Sequence, residues 1–110
     1  EKGEGKKVLV YTHWGEEYVG PPERVKKLAK QFVDAGAELV VGSHPHIVQD
    51  SELYADKYIY YSLGNFIFDQ YFSESVQRGL LLEVTFVENG IETIKEFPIA
   101  LQRDRRTCLL

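Results

Sequence analysis

The sequence predicts an α/β fold that consists of a βαβ unit followed by a C-terminal β-hairpin, and two patterns support this prediction. In the first half, two short apolar runs without polar alternation, typical of strands covered on both faces, flank an amphipathic helical segment. In the second half, alternating apolar residues lie on both sides of an Asn-Gly pair, the strongest short turn signal. A length of 110 residues predicts one domain, 1–110.

The βαβ unit begins with the apolar run Val8–Tyr11 and ends with the run Leu39–Val41. Between them, Pro22 is expected as the first helical residue, and Gly36 is expected just after the helix end. The helix has apolar residues at i, i+3, i+4, i+7 and i+8, namely Val25, Leu28, Ala29, Phe32 and Val33. A strand, a helix and a strand joined by short loops predict that the two strands are parallel.

The second half is expected to be mostly strand. Tyr58–Leu63 is a β-prone aromatic run, and the alternation over Gly79–Ala100 predicts a hairpin that turns at Asn89-Gly90. Because proline lacks the N–H that a sheet ladder needs, Pro98 indicates that the returning strand lies at an edge or ends there.

Composition excludes several classes of function. With 13 basic and 17 acidic residues the net charge is −4, so there is no basic field for nucleic acid, and we interpret Arg103–Arg106 as a solvated tail. The single cysteine, Cys108, excludes an internal disulfide and a cysteine-based metal site. We expect a soluble chain, because no apolar run reaches the roughly 18 residues of a membrane span. The start, Glu1–Lys7, is interpreted as a polar lead-in rather than a signal peptide.

All three histidines directly follow the two predicted parallel strands. His13 follows the first strand, and His44 and His46 follow the second, so they should meet at the carboxyl edge of the sheet. In extended backbone, residues i and i+2 point to the same side roughly 6.5 to 7 Å apart, and Pro45 restricts the segment between the two histidines. Two metal ions about 3.5 to 4 Å apart could each bind one of them, which predicts a binuclear site. The alternative is that these are ordinary loop histidines.

Four motifs in the same order resemble a known family. They are Thr12–Tyr18, Phe32–Ala37, Gly42–Gln49 and Tyr60–Asp69. Together they resemble the C-terminal half of bacterial CapA-type proteins, which are associated with capsule and poly-γ-glutamate synthesis and belong to the calcineurin-like metallophosphoesterase superfamily. The resemblance implies that this chain is half of a four-layer α/β sandwich.

The resemblance also implies a set of site residues. His13 would bind one metal ion, and His44 and His46 would bind one ion each, with Mn, Zn, Fe or Mg as the divalent ions. Three further residues match the family pattern and would lie at the rim of the site or behind the ligands: Glu16, Gln49 and Asn65. Each has a plainer interpretation, as a solvated loop acid, a cap for strand-end backbone and a turn residue, respectively.

The chain departs from the family because it contains none of the N-terminal half, which supplies two aspartates and an Asn-His pair. Hard divalent cations prefer carboxylate oxygen, so three neutral imidazoles alone make a poor two-metal site. The chain is therefore expected to be half of an active site and inactive by itself. The resemblance implies phosphoester hydrolysis by the complete site, with action on the amide-linked glutamate polymer as an open alternative. Two alternatives remain, a non-catalytic polymer-binding or assembly module and a lone three-histidine zinc site.

The expected partners are the missing half or a second copy of the chain, with capsule polymer as a further candidate. The parent is expected to be a bacterial protein anchored at the cell surface.

Overall fold

The computed structural model describes residues 6–110, which contain seven β-strands, one α-helix and one short 3-10 turn. The first five residues of the predicted polar lead-in lie outside the described residues. The elements are β1 (Leu9–His13), α1 (Glu23–Asp34), β2 (Leu39–Ser43), β3 (Ser51–Tyr54), β4 (Lys57–Tyr60), the 3-10 turn (Ser75–Gln77), β5 (Arg78–Val87), β6 (Gly90–Leu101) and β7 (Thr107–Leu109).

The first sheet has the strand order β1-β2-β4-β3. β1 and β2 are parallel and joined through α1, so the predicted βαβ unit is confirmed. β4 is parallel to β2 and ends at Tyr60, earlier than predicted, and β3 pairs with it antiparallel. The sequence did not reveal β3, whose two-residue turn to β4 is formed by Ala55 and Asp56, both with positive φ.

The helix has most of the predicted apolar face and the predicted end, but Leu28, which was predicted on that face, is 40% exposed. Val25, Ala29 and Val33 are buried against the sheet, and Pro22 is the residue immediately before the helix. At the other end, Gly36 has φ 113° and its N–H donates to the carbonyl of Val33, while the N–H of Ala37 donates to the carbonyl of Phe32. Glycine adopts this left-handed conformation at no steric cost, so it ends the helix cleanly.

The two faces of the first sheet are covered by different elements. One face packs on α1, with a core that contains Val40, Ile59 and Tyr61. The other face packs on the β5–β6 hairpin through Leu39, Val41 and Tyr60. On this face Leu9 and Tyr11 of β1 remain exposed, so the prediction that β1 is covered on both faces is wrong. The described residues therefore form three layers, helix, sheet and hairpin, which confirms the predicted α/β class with a βαβ unit and a C-terminal hairpin.

The hairpin differs from its prediction in two details. Its two loop residues are Glu88 and Asn89, and Gly90 is already the first residue of β6, with φ 138°. The prediction that β6 ends or is an edge strand at Pro98 is wrong, because β6 continues to Leu101 and lies between β5 and β7.

Strand β6 tolerates Pro98 because the backbone groups of this residue face β7 and not β5. Its carbonyl accepts a hydrogen bond from the N–H of Leu110, on the β7 side of the strand. In an antiparallel ladder the N–H and C=O of one residue point to the same neighbour, so the missing N–H is not needed by β5. The predicted tail Arg103–Arg106 is the connection to β7.

Within residues 6–110, no helix combines the length and the apolar character that crossing a membrane requires.

Candidate metal centre

The three histidines converge at the carboxyl edge of the parallel strands. His13 is the last residue of β1 and lies in register with Ser43, the last residue of β2, and His44 follows directly. The ring centroids of His13 and His44 are 4.4 Å apart, and those of His44 and His46 are 6.0 Å apart. The predicted grouping of the three side chains is therefore present.

The backbone that brings two of these rings together is not the extended one that the sequence predicted. His44 has φ 103° and His46 has φ 64°, and both lie in a bend after β2. Such conformations cost non-glycine residues of order 1 to 3 kcal/mol each, and they persist only where the surroundings hold them. Pro45 is one such anchor, because it is buried and its carbonyl accepts a hydrogen bond of 2.9 Å from the N–H of Tyr18.

The loops after β1 and β2 are also joined beneath the histidines. The N–H of Trp14 donates to the carbonyl of Ser43 at 3.0 Å, and the hydroxyl of Ser43 donates to the carbonyl of Thr12 at 3.0 Å. Trp14 is buried between α1 and the sheet. The positions of His13 and His44 are thus set by one continuous hydrogen-bonded unit.

His46 has the most elaborate surroundings of the three histidines. Its Nδ1 lies 2.9 Å from Oδ1 of Asn65, and its ring stacks on Phe68 at 4.9 Å between centroids with 12° between planes. On the opposite side, its Nε2 lies 3.6 Å from a carboxylate oxygen of Glu17. One ring edge is therefore hydrogen-bonded, one face is covered and the remaining nitrogen faces an acid.

The three additional residues from the family resemblance have different positions. Asn65 is buried and touches His46, as a residue behind a ligand would. Gln49 is also buried, but its side chain donates to the carbonyl of Val19 at 2.6 Å, which fits a cap for backbone. Glu16 is exposed and forms an ion pair with Arg24.

Sequence reasoning missed Glu17 and Phe68, which both contact His46. Glu16 and Glu17 are adjacent in the loop, and the sequence alone did not indicate which of the two would face the histidines. Phe68 lies in the aromatic stretch after β4, where the number of aromatics was the available signal.

The donor set present in the chain is incomplete as a metal site. Within residues 6–110, no group of three or more His, Cys, Asp and Glu side chains is arranged so that it could hold a metal ion. Imidazole nitrogen suits Zn and Fe, and the Glu17 oxygen is the kind of ligand that harder divalent cations such as Mn and Mg prefer. A metal ion at this edge would therefore need ligands beyond those that the described residues bring together.

Fold and site together define an α/β chain that carries a histidine-lined sheet edge, with the strand ends arranged as in proteins whose chemistry lies at that edge. The chain belongs to the family described as bacterial capsule synthesis protein PGA_cap, which matches residues 1–70.

Among its relatives, the chain is 42% identical over 103 residues to the capsule biosynthesis protein CapA of Bacillus anthracis, covering 93% of this chain and 25% of that protein. It is 40% identical over 93 residues to the PGA biosynthesis protein CapA of Bacillus subtilis, covering 84% of this chain and 24% of that protein. A shorter match, 42% over 57 residues, is to the uncharacterized protein y4sH of Sinorhizobium fredii. The chain thus spans about a quarter of the length of its CapA relatives.

Proposed function

We propose that this chain supplies the histidine side of a binuclear metal site in a CapA-like protein of capsule or poly-γ-glutamate biosynthesis. The observation that supports this proposal is the convergence of His13, His44 and His46 at one sheet edge, on backbone that is strained at two of the three positions. Strain of this kind concentrates at functional sites. The two CapA relatives are named for capsule biosynthesis and PGA biosynthesis, which agrees with this assignment.

The proposed chemistry is metal-dependent hydrolysis of a phosphoester, with the chain inactive until the site is complete. When bound, a pair of divalent ions would activate a water molecule and polarise a phosphoryl oxygen. The residues of this chain would hold imidazole nitrogens in place, and Phe68 would cover one face of His46. The carboxylates that two adjacent cations need would come from the rest of the longer protein.

The proposed position for that remainder is the open edge of β1. Among the described residues β2 is the only strand that pairs with β1, and Leu9 and Tyr11 are 43% and 66% exposed. Beside them, a groove of about 310 Å³ opens between the sheet and the hairpin and is lined by apolar residues such as Leu63 and Leu80. A second copy of this chain is the alternative occupant of this edge.

A second candidate function is a non-catalytic module that binds capsule polymer or assembles the capsule machinery. The charge of the chain bears on this candidate, because poly-γ-glutamate is an anion and the chain has a net charge of −4. Polymer binding by this chain should therefore require a divalent cation between the two. A lone three-histidine zinc site is the third candidate, and a single stoichiometric Zn²⁺ that stabilises the chain would favour it.

The decisive test uses a chimera in which this chain replaces the matching quarter of a full-length CapA protein. We expect about two divalent ions per chimera, as for other two-metal hydrolases, and metal-dependent hydrolysis of p-nitrophenyl phosphate. His44→Ala should abolish the hydrolysis and reduce the metal content, whereas Asp50→Asn, at an exposed acid beyond the histidine loop, should change neither. Full metal content without hydrolysis, together with polymer binding, would favour the second candidate.

A further inference from the structure

The side-chain amide of Asn65 determines which nitrogen of His46 carries the proton in the neutral ring. The Nδ2 group of Asn65 donates to the carbonyl of Val76 at 2.9 Å and to the side-chain oxygen of Gln70 at 3.1 Å. Its Oδ1 is therefore the atom that faces Nδ1 of His46, at 2.9 Å. An amide oxygen only accepts hydrogen bonds, so Nδ1 is the protonated nitrogen and Nε2 carries the lone pair.

The Nε2 atom that carries this lone pair lies near a carboxylate oxygen of Glu17. Oε2 of Glu17 lies 3.6 Å from Nε2 of His46, which is longer than a hydrogen bond. Metal–nitrogen and metal–oxygen bonds of about 2.0 to 2.2 Å in tetrahedral geometry separate two ligand atoms by about 3.3 to 3.6 Å. The separation of these two atoms therefore fits a cation that both of them contact.

The loop that carries Glu17 is held in this position on both sides. The N–H of Tyr18 donates to the carbonyl of Pro45 at 2.9 Å, and its phenol accepts a hydrogen bond of 2.9 Å from Gln70. Because Gln70 also accepts from Asn65, a single chain of hydrogen bonds runs from the Glu17 loop to the residue that orients His46. The acid and the imidazole are thus positioned by the same network.

We infer that Glu17 and His46 form one coordinating edge for a divalent cation, and that Asn65 is the positioning residue that turns the Nε2 lone pair of His46 toward this cation. The inference rests on the proposed metal site and adds to it a carboxylate from this chain. Among the two adjacent acids of the loop, it selects Glu17, because Glu16 is paired with Arg24.

The experiment measures Zn²⁺ binding to the 110-residue chain by calorimetry, with matched pairs of variants. Glu17→Gln keeps the size of the side chain and removes its charge, and we expect binding at least about tenfold weaker, whereas Glu16→Gln should bind as the unchanged chain does. Asn65→Leu and Asn65→Asp both lose the Nδ2 donor, but only Asn65→Asp keeps an acceptor for Nδ1. We expect a loss of about 10- to 100-fold for Asn65→Leu and a largely restored affinity for Asn65→Asp.

A second measurement does not depend on metal. Nitrogen NMR of the metal-free neutral ring should show Nδ1 of His46 protonated in the unchanged chain and in Asn65→Asp, and a mixture of tautomers in Asn65→Leu. A merely structural role of Asn65 would not produce this difference between the two variants.

The outcomes separate this inference from the proposed function. Zn²⁺ binding that is lost in His46→Ala but unchanged in Glu17→Gln would overturn the inference and leave the histidine site standing. Binding that is unchanged in His46→Ala would also overturn the inference, and loss of binding in His13→Ala or His44→Ala would then still support the proposed histidine site. If the unchanged chain binds no Zn²⁺ at millimolar concentration, the coordinating edge is refuted, while the chimera still tests the completed site.

Discussion

The indole N–H of Trp14 donates a hydrogen bond of 2.9 Å to the backbone carbonyl of Tyr61, and the bond crosses β2 at Gly42. A Cβ atom at Gly42 would lie 2.1 Å from Nε1 of Trp14 and 2.2 Å from the Tyr61 oxygen. Trp14 follows His13 in the chain, and Gly42 precedes His44 by two residues. The close approach of the Trp14 indole to the backbone at Gly42 therefore positions both the loop that follows His13 and the loop that carries His44.

Gly42→Ala should destabilise the fold and disturb the histidine cluster. The added methyl group has no space, so Trp14 must move, and overpacking of this kind costs about 1 to 3 kcal/mol in the free energy of unfolding. Urea denaturation measures this loss. The control is Gly20→Ala, since nothing lies within 4 Å of a Cβ atom at Gly20. Equal stability of the two variants would contradict the role given to the Trp14–Tyr61 bond.

The βαβ unit was predictable because each of its signals is local. The apolar period of α1, the glycine at Gly36 and the uninterrupted apolar runs of β1 and β2 are all set by residues within a few positions of one another. Parallel pairing then followed from connection length, and the convergence of the histidines followed from parallel pairing.

The elements that were missed depend on contacts distant in sequence. β7 has only three residues, and β6 alone makes it a strand, through Ile99–Leu101. β3 similarly depends on β4. The turn residues of the histidine loop looked extended, because the bonds that hold His44 and His46 at positive φ come from a loop about 30 residues away. The same distance hid the contact of Glu17 with His46.

Two buried tyrosines should make the fold sensitive to alkaline pH. Burial raises the pKa of the Tyr60 and Tyr61 phenols well above their usual range, and the hydrogen bonds that they donate to Glu96 and Glu52 raise these pKa values further. A group with a raised pKa in the folded state contributes stability that is complete below its unfolded pKa, about 10 for tyrosine, and is lost as pH rises toward the folded pKa.

Thermal melts from about pH 8 to about pH 11 should therefore show stability that declines above about pH 10, and Tyr60→Phe or Tyr61→Phe should make that decline shallower. Tyr58→Phe, on the same strand at an exposed position, is the control and should leave the slope unchanged. If the slope is the same in all three variants, the decline has another origin.

The chain by itself should show only background phosphatase activity, even with added Mn²⁺. The reason is that the described residues offer imidazoles and Glu17 but no complete ligand set for two hard cations. The assay is the hydrolysis of p-nitrophenyl phosphate by the 110-residue chain at micromolar concentration. Activity that is above background and is lost in His44→Ala would show that the chain completes the site without the rest of the protein.

The chain should also self-associate as a two-fold dimer through the β1 edge. Leu9 and Tyr11 are exposed there beside the apolar groove, and together with Phe66, which is 45% exposed and also lines the groove, they form an open apolar surface. Surfaces of this kind larger than several hundred Å² are rarely left open on monomers, and an unpaired strand edge recruits a further strand. A two-fold axis would bring the same edge of both copies together.

Light scattering coupled to size exclusion at micromolar concentration measures the oligomeric state. We expect a dimer for the unchanged chain and a monomer for Tyr11→Lys, because a charge at the contact would have to be buried in the apolar interface without a partner. Leu53→Lys is the matched control, since Leu53 is 56% exposed on β3 at the opposite edge of the same sheet, and this variant should remain a dimer. A dimer that survives Tyr11→Lys would indicate exchange of the β5–β6 hairpin instead, and a monomeric unchanged chain with a cooperative melt would refute self-association.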